Sequence, residues 1–260
     1  MISLSISLPK LQLFLLIVLR VSAVVMTLPI FGSRSIPLVF RLGMAFAAGF
    51  LLYPVLKLSP RPLPMNAVSF VIGVGREILL GVSVGLCVQL VLAGIQLAGQ
   101  LAGYQMGLAI AEVMDPDSSE QIPILAQYVN IIALLLFVIT NAHHWFLREL
   151  VDSFQVVPLL DAGFNGAFVE LLIRMTGNVF VVAIKVGAPV IVALLMTSVA
   201  FGLIARTVPQ MNVFIVAMPL KIVVGLLFFG FSLPYLSAFL RQVFGGLGES
   251  IRLLLTTMAG

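Results

Sequence analysis

Long, nearly unbroken runs of apolar residues decide what this chain can fold into. They occupy residues 11–31, 37–56, 66–111, 124–140, 167–205 and 213–232, each bounded by Pro, Gly or a polar cluster such as SPRPLP at 59–64. Two of them exceed one membrane crossing: a helix over 66–111 reaches about 70 Å, more than twice a hydrocarbon core of about 30 Å. Each long run must therefore break, tilt steeply or leave the bilayer. VGAPV at 186–190 offers one break, because Pro189 removes a helical donor and Gly187 loosens the turn before it. Composition gives the same class: 61% of the 260 residues are hydrophobic and 9% charged, against roughly half and roughly a quarter in soluble domains. A water-facing globule could not hide that apolar fraction, so lipid or partner subunits must cover the excess. The expected fold is all-α and membrane-type, with residues 1–260 forming one integral domain.

Charges inside the apolar runs are the next constraint. Arg20, Arg41, Arg174, Lys185 and Lys221 lie within or at the margins of them, and an unpaired cation at mid-bilayer costs about 2.5–3.5 kcal/mol even on the gentler insertion scale. Glu170 can meet Arg174 four residues on, and Glu77 adjoins Arg76, but Arg20, Lys185 and Lys221 have no acid within a turn of their own helix. Arg41 and Lys221, near run ends, can snorkel to headgroups. Arg20 and Lys185 sit deeper, so both are expected to be covered by protein. The net charge of +4 comes from basic residues scattered singly, which draws no nucleic-acid stripe. Cys87 stands alone, excluding an intrachain disulfide. The N-terminus has a short apolar core like a signal peptide, but Arg20 interrupts it and no cleavage site follows; it reads as a retained helix. Lys57 and Arg61 place 57–65 on the cytoplasmic side and the acidic 112–120 on the other, which puts both termini inside.

Small residues mark where backbones can approach. GVSVG at 81–85 and GQLAGYQMG at 99–107 carry glycines, and Gly99, Gly103 and Gly107 recur every four residues as a packing seam. Spacing alone serves an intramolecular seam and a subunit interface equally. Enzyme signatures are missing: no nucleophile elbow, P-loop, paired-histidine zinc motif or dinucleotide turn occurs, and no cofactor is expected. Asp115, Asp117 and Ser119 imitate a calcium loop, but Glu120 and Ala126 stand where it needs glycine and a bidentate acid. NAHHWFLRELVDSF at 141–154 has apolar residues at helical spacing, with His144, Arg148 and Asp152 on a polar face. RTVPQMNVFIVAMPLK at 206–221 is a turn through Pro209, with Asn212 as N-cap of the next helix. Near the C-terminus, apolar positions 236, 240, 243, 247, 251 and 254 form a seam interrupted by Gly245, Gly246 and Gly248, which predicts a jointed helix. One segment departs from all this: AEVMDPDSSEQIP at 111–123 sets Glu112, Asp115, Asp117 and Glu120 within nine residues.

Three segments, MDPDSSEQIPILAQ at 114–127, NAHHWFLRELVDSFQVVP at 141–158 and PQMNVFIVAMPLKIVVGL at 209–226, resemble the FliR family, the R component of the flagellar and type III protein-export gate. Their order and apolar surroundings carry the likeness over essentially the whole chain; Glu120 and Ala142 stand where members often have Gly. The resemblance implies a non-enzymatic structural subunit of bent helical hairpins, joining P and Q components in a helical cone at the bacterial inner membrane, within the flagellar basal body and raised toward the periplasmic side. It further implies contacts with the B and A components and with unfolded export substrates in transit. The loop with Glu112, Met114, Asp115, Pro116, Asp117, Glu120 and Ile122 becomes a plug that narrows the conduit, where carboxylates stay hydrated. Pro209, Gln210, Met211 and Asn212 become a family-signature turn. An injectisome homologue is the near alternative. A small secondary transporter is the reading from another class; it predicts repeated halves, and 1–130 and 131–260 show none.

Overall fold

A computed structural model describes residues 8–29, 36–56, 67–108, 123–208, 210 and 212–259. Among them the chain is helical, with eight helices and no strand: α1 (Leu8–Thr27), α2 (Leu38–Leu56), α3 (Ala67–Met106), α4 (Ile124–Ile139), α5 (Ala142–Val156), α6 (Gly166–Thr207), α7 (Val213–Gly245) and α8 (Leu247–Met258). Among the described residues five segments are long and apolar enough to cross a membrane. The chain divides into two compact units, Met1–Gln89 with Asn141–Met175 and Gly246–Gly260, and Leu90–Thr140 with Thr176–Gly245.

The expected break at 186–190 does not occur. α6 continues through Pro189 for 42 residues. Proline removes one ladder bond there, but Val186, Val190 and Leu194 on the same helix are buried, and their packing carries the helix across the gap. At Gly187 an added Cβ would meet the Ile191 side chain of the same helix at 2.8 Å, and the Ala98 Cβ at 3.6 Å would be an ordinary contact. α7 likewise contains Pro219 and Pro234 and runs beyond the expected 232 to Gly245. The joint predicted near the C-terminus is present, α7 ending at Gly245 and α8 opening at Leu247.

In the first unit, α1 presents Ile17, Val21 and Val24 to the core, α3 presents Leu80 and Val84, and α5 presents Phe146, Leu150 and Phe154. α2 leans on α1 through the ring of Phe14, whose centroid is 5.4 Å from that of Phe46 and 5.9 Å from that of Tyr53, both edge-on. α8 buries Ile251, Leu254, Leu255 and Met258, and its last carbonyls hold the connector before α6: Gly163 N donates to Met258 O at 2.8 Å and Asn165 Nδ2 to Thr257 O at 3.1 Å. The Asn165 side chain also caps α6, its Oδ1 accepting from Phe168 N at 2.9 Å.

The second unit packs the later part of α3 against α4, α6 and α7. Ile95, Ala98 and Met106 of α3 are buried, as is a stripe of Leu125, Ala126, Val129, Ala133 and Phe137 along α4. Phe137 sets its ring edge-on to Phe244 at 5.3 Å. The three seam glycines divide here by role. A Cβ on Gly99 would fall 2.6 Å from the Ala126 Cα, a backbone atom that cannot yield, so Gly99 makes the close approach. At Gly103 it would meet only the Leu125 Cβ at 3.8 Å, an ordinary contact. Gly107 has left the helix: its φ is +85°, its N–H bonds Tyr104 O at 3.1 Å, and Leu108 N bonds Gly103 O at 3.1 Å. That pair of bonds is a Schellman cap, which needs a left-handed residue; it ends α3 short of the apolar run's limit at 111.

The three positions should respond in a fixed order. Gly99→Ala should be the most damaging. Gly107→Ala should cost about 1 kcal/mol through backbone strain, while Gly103→Ala should be neutral or stabilising by up to about 1 kcal/mol through helix propensity. Thermal melts of the detergent-solubilised protein read the order; a Gly103→Ala loss as large as that of Gly99→Ala would refute it.

Candidate functional site

Arg20 is fully buried in the middle of α1. Nothing on its own helix neutralises it, and the partner arrives from α3: Arg20 Nε donates to Glu77 Oε2 at 2.5 Å and Nη2 to Oε1 at 2.9 Å, with both side chains wholly buried. This two-pronged geometry is the strong form of an arginine–carboxylate pair. Nη1 donates to the carbonyls of Ser153 and Val157, each at 3.0 Å. Those carbonyls lie at the C-terminal end of α5, where the helix dipole favours a cation; Ser153 O also accepts from Val157 N at 2.9 Å, so the guanidinium is its second donor. The guanidinium also sits over the Phe154 ring, 4.6 Å from its centroid.

Glu77 is shared. Its Oε1 also accepts from Leu160 N at 2.6 Å. Leu160 has a φ of +68°, unusual for a residue with a Cβ, and its side chain fills the notch at Gly73, where an added Cβ would come within 2.7 Å of Leu160 Cδ2. A strained backbone conformation of this kind persists when its surroundings over-determine it, and here a charged hydrogen bond and a glycine notch do so. One carboxylate thus fixes α1, α3 and the chain after α5.

The glycines at 81 and 85 make that reach possible. Gly81 lies one turn beyond Glu77 on α3, and a Cβ there would stand 2.6 Å from the Ala23 Cβ and 2.9 Å from Arg20 O. A Cβ on Gly85 would overlap Thr27. α1 and α3 therefore touch backbone to backbone over two turns, close enough for the short carboxylate arm to meet the guanidinium. Gln89 extends the same edge, its Nε2 donating to Thr27 O at 2.6 Å.

Sequence reasoning set Glu77 beside Arg76, and the structure separates them: Glu77 is buried and Arg76 exposed. The usable signal was that Glu77 is the sole acid in 66–111 and Arg20 the sole charge in 11–31. Glu170 and Arg174 do meet, at 3.2 Å on an exposed face, where such a pair adds little. Lys185 differs from Arg20 in being exposed, with Nζ 5.9 Å from the centroid of Phe239. In the signature turn Gln210 and Asn212 are exposed, and α7 starts directly after Asn212, whose carbonyl accepts from Ile215 N at 3.2 Å; Pro209 and Met211 lie outside the described residues. So does the whole acidic segment, including Glu112, Met114, Asp115, Pro116, Asp117, Glu120 and Ile122. The histidine rings lie 4.2 Å apart at the start of α5, and among the described residues no group of three His, Cys, Asp or Glu converges on a common point.

A family model described as bacterial export proteins, family 1, matches residues 11–247. The flagellar biosynthetic protein FliR of Bacillus subtilis is 34% identical over 245 residues, 93% of this chain and 94% of that protein. The FliR proteins of Pectobacterium carotovorum and Escherichia coli are each 32% identical, over 92% and 90% of this chain and 91% and 89% of theirs. The chain belongs to the FliR family of bacterial export proteins. Within this FliR-family chain the match opens before Arg20 and closes at the first residue of α8, so it encloses every member of the ion-pair centre and Lys185.

Arg20→Leu should strand the Glu77 carboxylate in the core, a change that typically costs about 3–5 kcal/mol. The double variant Arg20→Leu/Glu77→Leu should recover part of that. It cannot recover all, because the Val157 carbonyl and the Leu160 N–H lose their partners, at about 1–3 kcal/mol for each group left buried, while the Ser153 carbonyl keeps the Val157 N–H at 2.9 Å. Melting of the three proteins in one detergent measures both steps, and a single variant as stable as the parent would contradict the centre.

Proposed function

We propose that the chain is a non-enzymatic structural subunit of the flagellar type III protein-export gate, assembled with the P and Q components in the bacterial inner membrane and adjoining the B and A components. One observation carries the reading: helices of a FliR-family chain leave most of their apolar surface uncovered. Only 11% of the spanning window of α2 is buried, 28% of that of α6 and 17% of that in Ile215–Met258. Large side chains such as Phe50, Ile184, Met196 and Phe231 stand more than half exposed. Lipid can cover such faces, but neighbouring subunits cover them with shape complementarity as well, and export-gate membership supplies those neighbours. The relatives are named for flagellar biosynthesis, which favours the flagellar gate over an injectisome. In this reading much of the assembled gate is raised to the periplasmic side, and unfolded substrates pass through it.

The segment 112–122 then narrows the conduit. Its four carboxylates require hydration, which a pore supplies and a packed interface does not. Met114 and Ile122 flank the acids as apolar anchors, while Pro116 and Pro123 limit the loop's freedom. Contacts that an arriving chain must break can hold only a few kilocalories.

Two measurements test this. Purified in mild detergent, the chain should bring the P and Q components with it; a monodisperse single protein would remove the gate reading. Deleting 115–121 should leave the complex assembled and make membranes that bear it conduct small ions. A tight membrane around an assembled deletion variant would remove the plug while leaving gate membership intact.

A further inference from the structure

Arg20 and Lys185 pose the same problem in sequence, and the described residues answer only the first. Arg20 is enclosed and receives a carboxylate, two carbonyls and a ring. Lys185 is exposed on α6 with neighbours Val181 and Ile184 exposed beside it; among the described residues no acid pairs with it, and its Nζ lies 5.9 Å from the centroid of the Phe239 ring. A cation held against an aromatic ring on an otherwise apolar face is half of a site.

The other half lies along the same stripe. Positions 185, 188, 189, 192 and 196 share one face of a helix. From Ala188 onward that face, with α7, lines a groove of about 670 Å³ whose walls include Ala188, Pro189, Val192, Met196, Val224 and Phe228. Lys185 stands one turn before the groove's first residue on α6. Pro189 adds a second polar feature at that end: lacking an N–H, it cannot donate to the Lys185 carbonyl four residues back. An exposed lysine whose carbonyl lacks its helical donor thus stands one turn before an apolar trough whose Ala188 and Ala193 are small enough for close backbone approach.

We infer that this trough is the seat of an apolar helix from another subunit of the export apparatus, and that this helix carries a carboxylate which pairs with Lys185. The inference rests on the assembly proposed above and adds the chemistry of one contact. Within this chain the same need at Arg20 is met by a carboxylate from a neighbouring helix, backed by carbonyls and an aromatic ring. Lys185 has the ring, and the missing part is the acid. Anionic phospholipid could supply charge at Lys185, but a phosphate does not call for the shaped apolar trough beyond it.

The test uses the full chain expressed with the other export subunits. A photo-crosslinking residue replaces Val192, which is 54% exposed, and the crosslinked peptide is sequenced. The expected product is a partner helix with Asp or Glu within about two turns of the crosslinked position. Lys185→Glu should reduce that product at least about tenfold, as expected when one member of a desolvated pair is reversed, and changing the partner's acid to Lys should restore it. Crosslinking to phospholipid alone, a partner peptide without an acid near the contact, or full crosslinking in Lys185→Glu would each overturn the inference. Co-purification of the unsubstituted chain with the P and Q components is scored in parallel: if it holds while the crosslink fails, this contact is wrong and gate membership stands, and if it fails, both fall.

Discussion

Burying a guanidinium in an apolar core is the constraint around which the first unit is arranged. Hydrophobic contact is non-directional and tolerates sliding of one helix past another, whereas Arg20 offers donors in a fixed planar fork. Four of its hydrogen bonds reach acceptors at 77, 153 and 157, so one side chain sets the register of α1 against α3 and against the end of α5. The net stability from such a centre is small, because desolvating both charges offsets most of their attraction. What the centre supplies is discrimination: any register in which Glu77 misses Arg20 leaves two buried charges unpaired. That is a larger penalty than a poorly filled apolar contact.

Glycine and the ion pair depend on one another. A glutamate arm is short, and helices separated by ordinary side chains stand about 8–10 Å apart. Gly81 and Gly85 remove the side chains that would keep α1 at that distance, and Gly73 does the same for Leu160 two turns earlier. The polar centre therefore sits between glycine contacts on one face of α3, and each member of the set explains why the others are where they are. Gly73 and Leu160 also bring the connector 157–165 into the arrangement, and that connector is tied at its far end to the last carbonyls of α8 through Gly163 and Asn165. A segment without regular secondary structure is thereby held by two charged or polar anchors instead of by its own ladder.

The helices were legible because apolar length is a strong signal: expected limits of 37–56, 124–140 and 167–205 lie within two residues of α2, α4 and α6 at each end. Internal punctuation was harder to read. Pro189 looks like a break when weighed alone, since sequence shows the bond it removes and hides the packing of Val186, Val190 and Leu194 that replaces it. Gly107 continues the spacing of Gly99 and Gly103, and only its backbone conformation reveals that it ends the helix. The pairing of Arg20 with Glu77 spans 57 residues, beyond any local rule, although each being the sole charge of its kind in its run was a clue. The joint at Gly246 was readable because three glycines within four positions leave a helix little propensity.

Length itself limits what one chain can cover. α3 and α6 contain 40 and 42 residues, about 60 Å of helical rise each, and the described residues bury 56% of the spanning window of α3 but 28% of that of α6. The uncovered surface is not uniform, however. Along α2 it is occupied by Val39, Phe40, Phe46, Phe50 and Leu51, and hydrocarbon satisfies such a surface without specific geometry. Along α6 it includes Lys185, which hydrocarbon cannot satisfy. Covering the first asks only for an apolar surround, whereas covering the second asks for an acceptor at one height on one face. A single exposed ammonium therefore makes the face of α6 selective about what can cover it, in the way that Glu77 makes α3 selective for α1.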